Sequence, residues 1–289
     1  MKNKTRNQEI TLMIIGGLGN QLFQYCKLNQ FKKAGYKVIV DTSNNQKFKN
    51  HHLITFREVA FDPQLFEFDK ISENKLFFIN LLERINKNKF LPSLNFIYKE
   101  INDDNFRKLK FKKYNKMIGY WQDVENLIIE KEFLIRSLSK HPLLSEAFNK
   151  SIKKGSSILH IRRGDYLKID ENLSNSFYLE ALNYCEKHID SFEFEIFTDD
   201  YSWVKKQKIF HNASKVHKNL NTKESDIIAF ASMLNFENYI VGNSTFSLIP
   251  AVLSESKESK ILVAEPWFRN KNKKLNVPNN WIKINNSKD

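Results

Sequence analysis

The sequence predicts an α/β protein whose two domains are each built on a parallel sheet, doubly wound by helices. Three observations carry this. A strand-like run, Ile10 to Ile15, leads through a glycine-rich turn into a helical stretch and out into a second strand, which is a βαβ unit. After residue 156, short apolar runs alternate with helical periodicity. The chain has 289 residues, more than the ~100–200 of an ordinary domain.

Taken in order, Gly16-Gly17-Leu18-Gly19-Asn20 is the first turn. The helix expected over residues 20–34 shows Leu22, Phe23 and Cys26 at a spacing of 3–4, and Gly35 stops it. Tyr36 to Asp41 reads as a strand. Residues 45–150 read as mostly helical, with Leu65 to Phe68, Leu76 to Ile79, Val124 to Leu138 and Leu143 to Ile152 as the apolar segments. Lys153-Lys154-Gly155-Ser156 reads as a linker and divides residues 1–152 from 153–289. The second half gives strands at Ser157 to Ile161, Phe192 to Phe197, Tyr239 to Val241 and Ile261 to Ala264. Helices fall at Phe177 to Ile189, Asp226 to Leu234 and Phe246 to Leu253.

With 41% hydrophobic and 27% charged residues, the composition excludes wholesale disorder. No apolar run approaches the ~20 residues of a membrane-spanning helix, and the first ten residues lack a signal-like apolar core. Cys26 and Cys185 make neither a disulfide framework nor a zinc cluster, so a cytoplasmic location is expected. The net charge of +13 is uneven: residues 1–150 hold 26 basic and 16 acidic side chains. Such an excess attracts nucleic acid, anionic membrane or phosphorylated ligands, although scattered surface lysines give the same balance.

In doubly wound sheets, ligands bind where loops leave the carboxyl ends of the strands, and the unusual motifs fall there. His160-Ile161-Arg162-Arg163-Gly164-Asp165 follows a strand. Paired guanidiniums suit a pyrophosphate, and Asp165 can orient one of them; a local Arg–Asp bridge is the plainer alternative. Gly242-Asn243-Ser244-Thr245-Phe246-Ser247 joins a strand to a helix, where free N–H groups and hydroxyls attract anions. Thr198-Asp199-Asp200 ends a strand, as acceptors for a guanine or ribose or as a helix cap. It lacks the D-x-D spacing of a metal site, and His51, His52, His211 and His217 have no ligand spacing and read as surface residues; no metal is expected. Gly17 and Gly19 allow close approach of a ligand, with Asn20 presenting its amide. Tyr120, Trp121 and Gln122 are candidates to line a sugar site, with core packing the alternative for each aromatic.

In this order, IIGGLGNQLFQY (14–25), GYWQ (119–122), HIRRGDY (160–166), FTDD (197–200) and GNSTFS (242–247) resemble glycosyltransferase family 11, the bacterial α-1,2-fucosyltransferases. The resemblance implies a GT-B fold, two Rossmann-like domains facing a central cleft, with residues 1–152 on the acceptor side and 153–289 binding the donor. It implies GDP-β-L-fucose as donor, no metal or cofactor, and inversion to an α-fucoside. Arg162 would contact the β-phosphate and the glycosidic oxygen, with His160, Arg163 and Asp165 shaping its loop. Asn243, Ser244, Thr245 and Phe246 would hold the phosphates, Asp199 or Asp200 would read guanine or ribose, and Asn20 would reach in from the first domain. Asp165 and a leaving phosphate oxygen are the candidate bases. The sequence departs from the family at Leu248-Ile249-Pro250-Ala251, where two tryptophans and small residues are usual.

The expected activity is transfer of fucose to the 2-OH of a galactoside in a surface-glycan precursor such as O-antigen or capsule. The acceptor is expected to be an oligosaccharide, lipid-linked, met at the inner face of the membrane by the basic first half. The rivals are another GDP-sugar or linkage, a non-catalytic GDP or glycan binder, and a nucleic-acid-binding protein, for which no reading motif is present.

Overall fold

A computed structural model describes residues 8–43, 57–87, 98–102, 111–220, 222–269 and 275–287. The first seven residues, His51 and His52 lie outside them. The chain forms two compact units, residues 1–122 with 132–138, and residues 123–131 with 139–289. Residues 139–152, read with the first domain, thus belong to the second unit's contacts.

In the first unit, β1 (Glu9–Met13), α1 (Leu18–Lys33) and β2 (Lys37–Asp41) form the expected βαβ unit. β3 (Asp69–Lys70), α2 (Glu73–Lys87), β4 (Tyr98–Asn102) and β5 (Tyr114–Ile118) follow. The sheet order is β3-β2-β1-β5-β4, parallel throughout. Three strands therefore interrupt a stretch read as mostly helical. In β5 the polarity hid the strand: Asn115 and Lys116 are buried there. Asn115 Nδ2 donates to the carbonyls of Glu9 (3.0 Å) and Lys112 (2.8 Å), and Lys116 pairs with Glu83 at 2.7 Å. Satisfied in this way, polar groups tolerate burial. Tyr25 of α1 stacks on Phe66 with ring centroids 3.9 Å apart, and its hydroxyl donates to the Phe61 carbonyl.

The helix expected over 124–138 is broken at Glu130 into α3 (Val124–Ile129) and α4 (Lys131–Leu138), most of α4 belonging to the first unit. In the second unit, α5 (Pro142–Asn149) leads into β6 (Ser156–Ile161), α6 (Asn175–His188), β7 (Glu193–Thr198) and α7 (Tyr201–Lys206). Then come β8 (Lys215–Lys218), α8 (Lys223–Met233), β9 (Asn238–Gly242), α9 (Thr245–Ser254), β10 (Ile261–Glu265) and β11 (Ile282–Asn285). The sheet order is β11-β10-β9-β6-β7-β8, again parallel throughout. The α/β class with parallel sheets is as the sequence predicts. No helix among the described residues is long and apolar enough to cross a membrane.

The winding of the second sheet reverses once. The second is wound outward from β6 to β8, then restarts beside β6 with β9 and runs the other way. The first is wound from β1 to β3; the chain then enters at the opposite edge with β4 and comes back to β5, beside β1. Loops on either side of such a switch diverge and leave a crevice at the carboxyl ends of the two strands. In the second unit these loops are Arg162–Asp165 and Asn243–Ser244. In the first unit, the loops that leave the neighbouring strands β1 and β5 are Ile14–Gly17 and Gly119–Gln122.

Candidate active site

His160, near the end of β6, is 6% exposed. Its Nδ1 lies 3.0 Å from Ser247 Oγ on α9. That hydroxyl has one proton and two carbonyls within reach, Val241 at 3.1 Å and Ser244 at 3.2 Å. Donating to a carbonyl, it accepts from the imidazole, which assigns the histidine proton to Nδ1. Burial lowers the His160 pKa to about 3, with Arg162 adding to the effect. The ring is therefore a neutral strut between β6 and α9 at physiological pH.

Arg162 leaves β6 into a cage of carboxylates. Its Nε and Nη2 donate to the two oxygens of Asp165 at 2.8 and 2.9 Å, and Nη1 meets Asp199 Oδ2 at 3.0 Å. Burial alone would weaken its hold on the proton, but Asp165 and Asp199 more than offset this and raise its pKa. The guanidinium is permanently charged and locked in orientation by a bidentate fork. Both Asp165 oxygens are engaged, which makes this carboxylate an orienter of the arginine.

Arg163 does not pair with Arg162 as a double clamp. Its guanidinium lies over the Trp203 ring at 3.8 Å, and its Nε contacts Asp200 at 3.2 Å. Asp199 is likewise turned inward. Its side chain is 3% exposed and accepts from the N–H of Arg163 (2.8 Å) and of Gly164 (3.2 Å) besides Arg162. A carboxylate so enclosed pins the loop and is not placed to read a base or ribose. Asp200 caps α7 by accepting from Trp203 N–H at 3.1 Å. The capping alternative describes Asp200 and not Asp199.

The β9–α9 turn needs a left-handed residue at Gly242 (φ 65°), where a Cβ would come within 2.7 Å of Leu173. Asn243 is buried and donates to the Glu171 carbonyl at 2.9 Å, so its amide is structural. Ser244 is also buried and caps α9 through Phe246 N–H. Thr245 and Phe246 keep partial exposure at the helix N-terminus. Pro250 stands at the sixth position of this helix, past the first turn where proline is comfortable. Residues 247–253 are all buried, and that burial holds α9 despite the lost hydrogen bond.

A polar network that sequence reasoning missed braces this turn. Tyr166 Oη donates to the Asn243 carbonyl at 3.1 Å. Arg269 donates its backbone N–H to Glu171 Oε2 and its guanidinium to the carbonyls of Asp170 and Asn172. The available signal was an arginine directly after the Pro266-Trp267-Phe268 segment. His217, read as a surface residue, pairs with Glu195 and stacks on Phe197 with centroids 4.2 Å apart.

In the first unit, Gln122 Nε2 donates to Asn20 Oδ1 at 3.0 Å, joining the loop after β5 to the first turn of α1. Gln24, also missed, is fully buried, accepts from Ile15 N–H and donates to the carbonyls of Ile15 and Gly119. Gln21 accepts from Ala60 N–H and donates to the carbonyls of Gly16 and Glu58. These glutamines shape the glycine turn. Gly16 has φ 78°, and a Cβ there would lie 2.8 Å from the Tyr120 ring. Gly17 has open space where a side chain would stand, and Gly19 is buried in α1. Tyr120 is 37% exposed, whereas Trp121 is buried at 7% and is packing, not a sugar platform.

Among the described residues, no three His, Cys, Asp or Glu side chains gather as a metal site. The chemistry on offer in the second unit is a fixed guanidinium and a helix N-terminus on neighbouring strands, which together favour an anion.

The family model for glycosyl transferase family 11 matches residues 1–285. The chain is 28% identical to an α-1,2-colitosyltransferase of Escherichia coli, over 95% of this chain and 98% of the relative. It is 24% identical to the Escherichia coli O-antigen biosynthesis glycosyltransferase WbnK, over 93% of this chain and 98% of that one. Of solved structures, it is similar to a family 9 glycosyl transferase from Veillonella parvula, with TM-score 0.44 and 10% identity over 98% of this chain and 88% of that one. It is also similar to an Arabidopsis thaliana FUT1 mutant in complex with GDP, with TM-score 0.46 and 12% identity over 88% of this chain and 70% of that one. With the family match spanning nearly the whole sequence, the chain belongs to glycosyl transferase family 11 and is a glycosyltransferase.

Proposed function

We propose that the chain transfers L-fucose from GDP-β-L-fucose to a galactoside hydroxyl, the 2-OH, of an O-antigen-type glycan precursor, with inversion and without a metal. The observation that carries this is the meeting of the Arg162 loop and the α9 N-terminus at the switch between β6 and β9. Breaking the bond between the sugar and the β-phosphate leaves negative charge on GDP. Arg162, held by Asp165 and Asp199, supplies a cation that does not need to reorganise as that charge develops. The α9 N-terminus at Thr245 adds its dipole, and the sugar passes through an oxocarbenium-like state. Asn20, Gln122 and Tyr120, gathered at the carboxyl ends of β1 and β5, are proposed to meet the acceptor.

One E. coli relative supports an O-antigen setting, and the other favours a second reading. Colitose is fucose without its 3-hydroxyl, so a GDP-colitose donor is the alternative. A site that hydrogen-bonds the 3-hydroxyl would reject the sugar lacking it by a large factor.

GDP release is measured with GDP-fucose and GDP-colitose across a galactoside panel, with linkage read by NMR and with and without EDTA. Turnover with GDP-fucose, indifferent to EDTA and falling ~10²–10³-fold in Arg162→Ala, is expected. Preference for GDP-colitose selects the second reading. Near-normal turnover in the arginine variant overturns the mechanism.

A further inference from the structure

We propose that the outer face of α2 docks the protein on an anionic lipid surface. One face of this helix is accounted for: Ile79 and Leu82 are buried, with Ile71 and Tyr114 packed against them. The other carries an apolar stripe, with Phe77 72% exposed, Leu81 43% and Phe78 37%. Positions 77 and 81 are one helical turn apart, and Arg84 is exposed on the next turn. Single exposed apolar residues are ordinary, whereas a stripe marks a surface that meets something.

Charge says what it meets. Lys75 Nζ lies 5.7 Å from the Phe78 ring and 4.4 Å from the Tyr114 ring, and Lys113 Nζ lies 5.5 Å from Tyr114. Phe78 and Tyr114 are themselves in contact, with centroids 5.4 Å apart. The aromatic edge of the stripe is thus flanked by two ammonium groups, Lys113 exposed and Lys75 paired with Glu9 at 2.8 Å. By sequence, residues 70–116 hold twelve Lys and Arg against five Asp and Glu, +7 of the chain's +13. Aromatic and leucine side chains flanked by cations suit the boundary between acyl chains and anionic headgroups. A second copy fits worse, because two such faces would bring like charges together. The proposal goes beyond the transfer reaction and does not depend on it.

The full chain is sedimented with vesicles of phosphatidylcholine alone and of phosphatidylcholine with phosphatidylglycerol. Binding only to the anionic vesicles, weakened by salt, is expected. The double variant Phe77→Ser/Leu81→Ser should bind about tenfold more weakly, or less still. Its melting temperature and its turnover of a soluble acceptor should be unchanged. Equal binding to neutral vesicles, or undiminished binding by the variant, overturns the proposal. So does a wild-type dimer that the variant converts to monomer without any vesicle binding. A chain that sediments but turns over no acceptor would sink the transfer reading and leave the docking surface standing.

Discussion

His160 offers a test in which the structure sets the size of the effect. The native imidazole is held neutral, with its pKa at about 3, while in the unfolded chain it returns to about 6.5. As pH falls through 6.5 the unfolded state takes up a proton that the native state refuses. The sign follows: stability is fully present above pH 6.5 and is lost progressively toward pH 3. At pH 5 the loss from this residue alone is about 2 kcal/mol relative to pH 8. That figure depends on the unfolded pKa alone, provided the native value lies well below 5. In His160→Asn the titration is removed and the contributions of the other histidines cancel. Urea unfolding of both proteins at the two pH values should show their stability gap narrowing by about 2 kcal/mol at pH 5. In parallel, the His160 ring proton signal should not shift between pH 8 and 5. A gap that stays constant would mean that the imidazole titrates in the native state, and the buried bridge to Ser247 would be wrong.

Two further outcomes follow from enclosed polar groups. Asp199→Asn keeps the volume but turns a donor toward the donors of Arg162, Arg163 and Gly164; a stability loss of about 3 kcal/mol and a fall in turnover of roughly tenfold or more are expected, read by thermal melting and GDP release. Gln24→Leu strands the Ile15 N–H and the carbonyls of Ile15 and Gly119, so a loss of about 2–4 kcal/mol is expected in denaturant unfolding. A neutral result in either variant would show that the loop has other support.

The position of the site was legible because its signals are local. Glycine and polar clusters interrupt apolar runs at Gly16–Asn20, Arg162–Asp165 and Gly242–Ser244, and a parallel sheet puts such clusters at its carboxyl edge. The strands that went unread are those whose burial depends on partners far along the chain. Lys116 is a strand residue because Glu83 meets it, and no window of sequence contains both facts. The Val124–Leu138 run kept its helical period through Glu130, where the chain turns from one unit's contacts to the other's.

Side-chain direction divides the rest. The residue types alone determined that cations, carboxylates and a helix start would gather at one sheet edge, since alternating strands and helices make a parallel sheet and put the loops that follow its strands at one edge. Only tertiary packing decided how two adjacent arginines part, because Trp203 and Asp200 claim Arg163 while Asp165 and Asp199 fix Arg162. Packing also turned Asp199 from a reader of ligand into a pin for the loop. An enclosed carboxylate goes where backbone donors lack partners, and those of Arg163 and Gly164 come within reach of Asp199 only once β6 and β7 lie side by side.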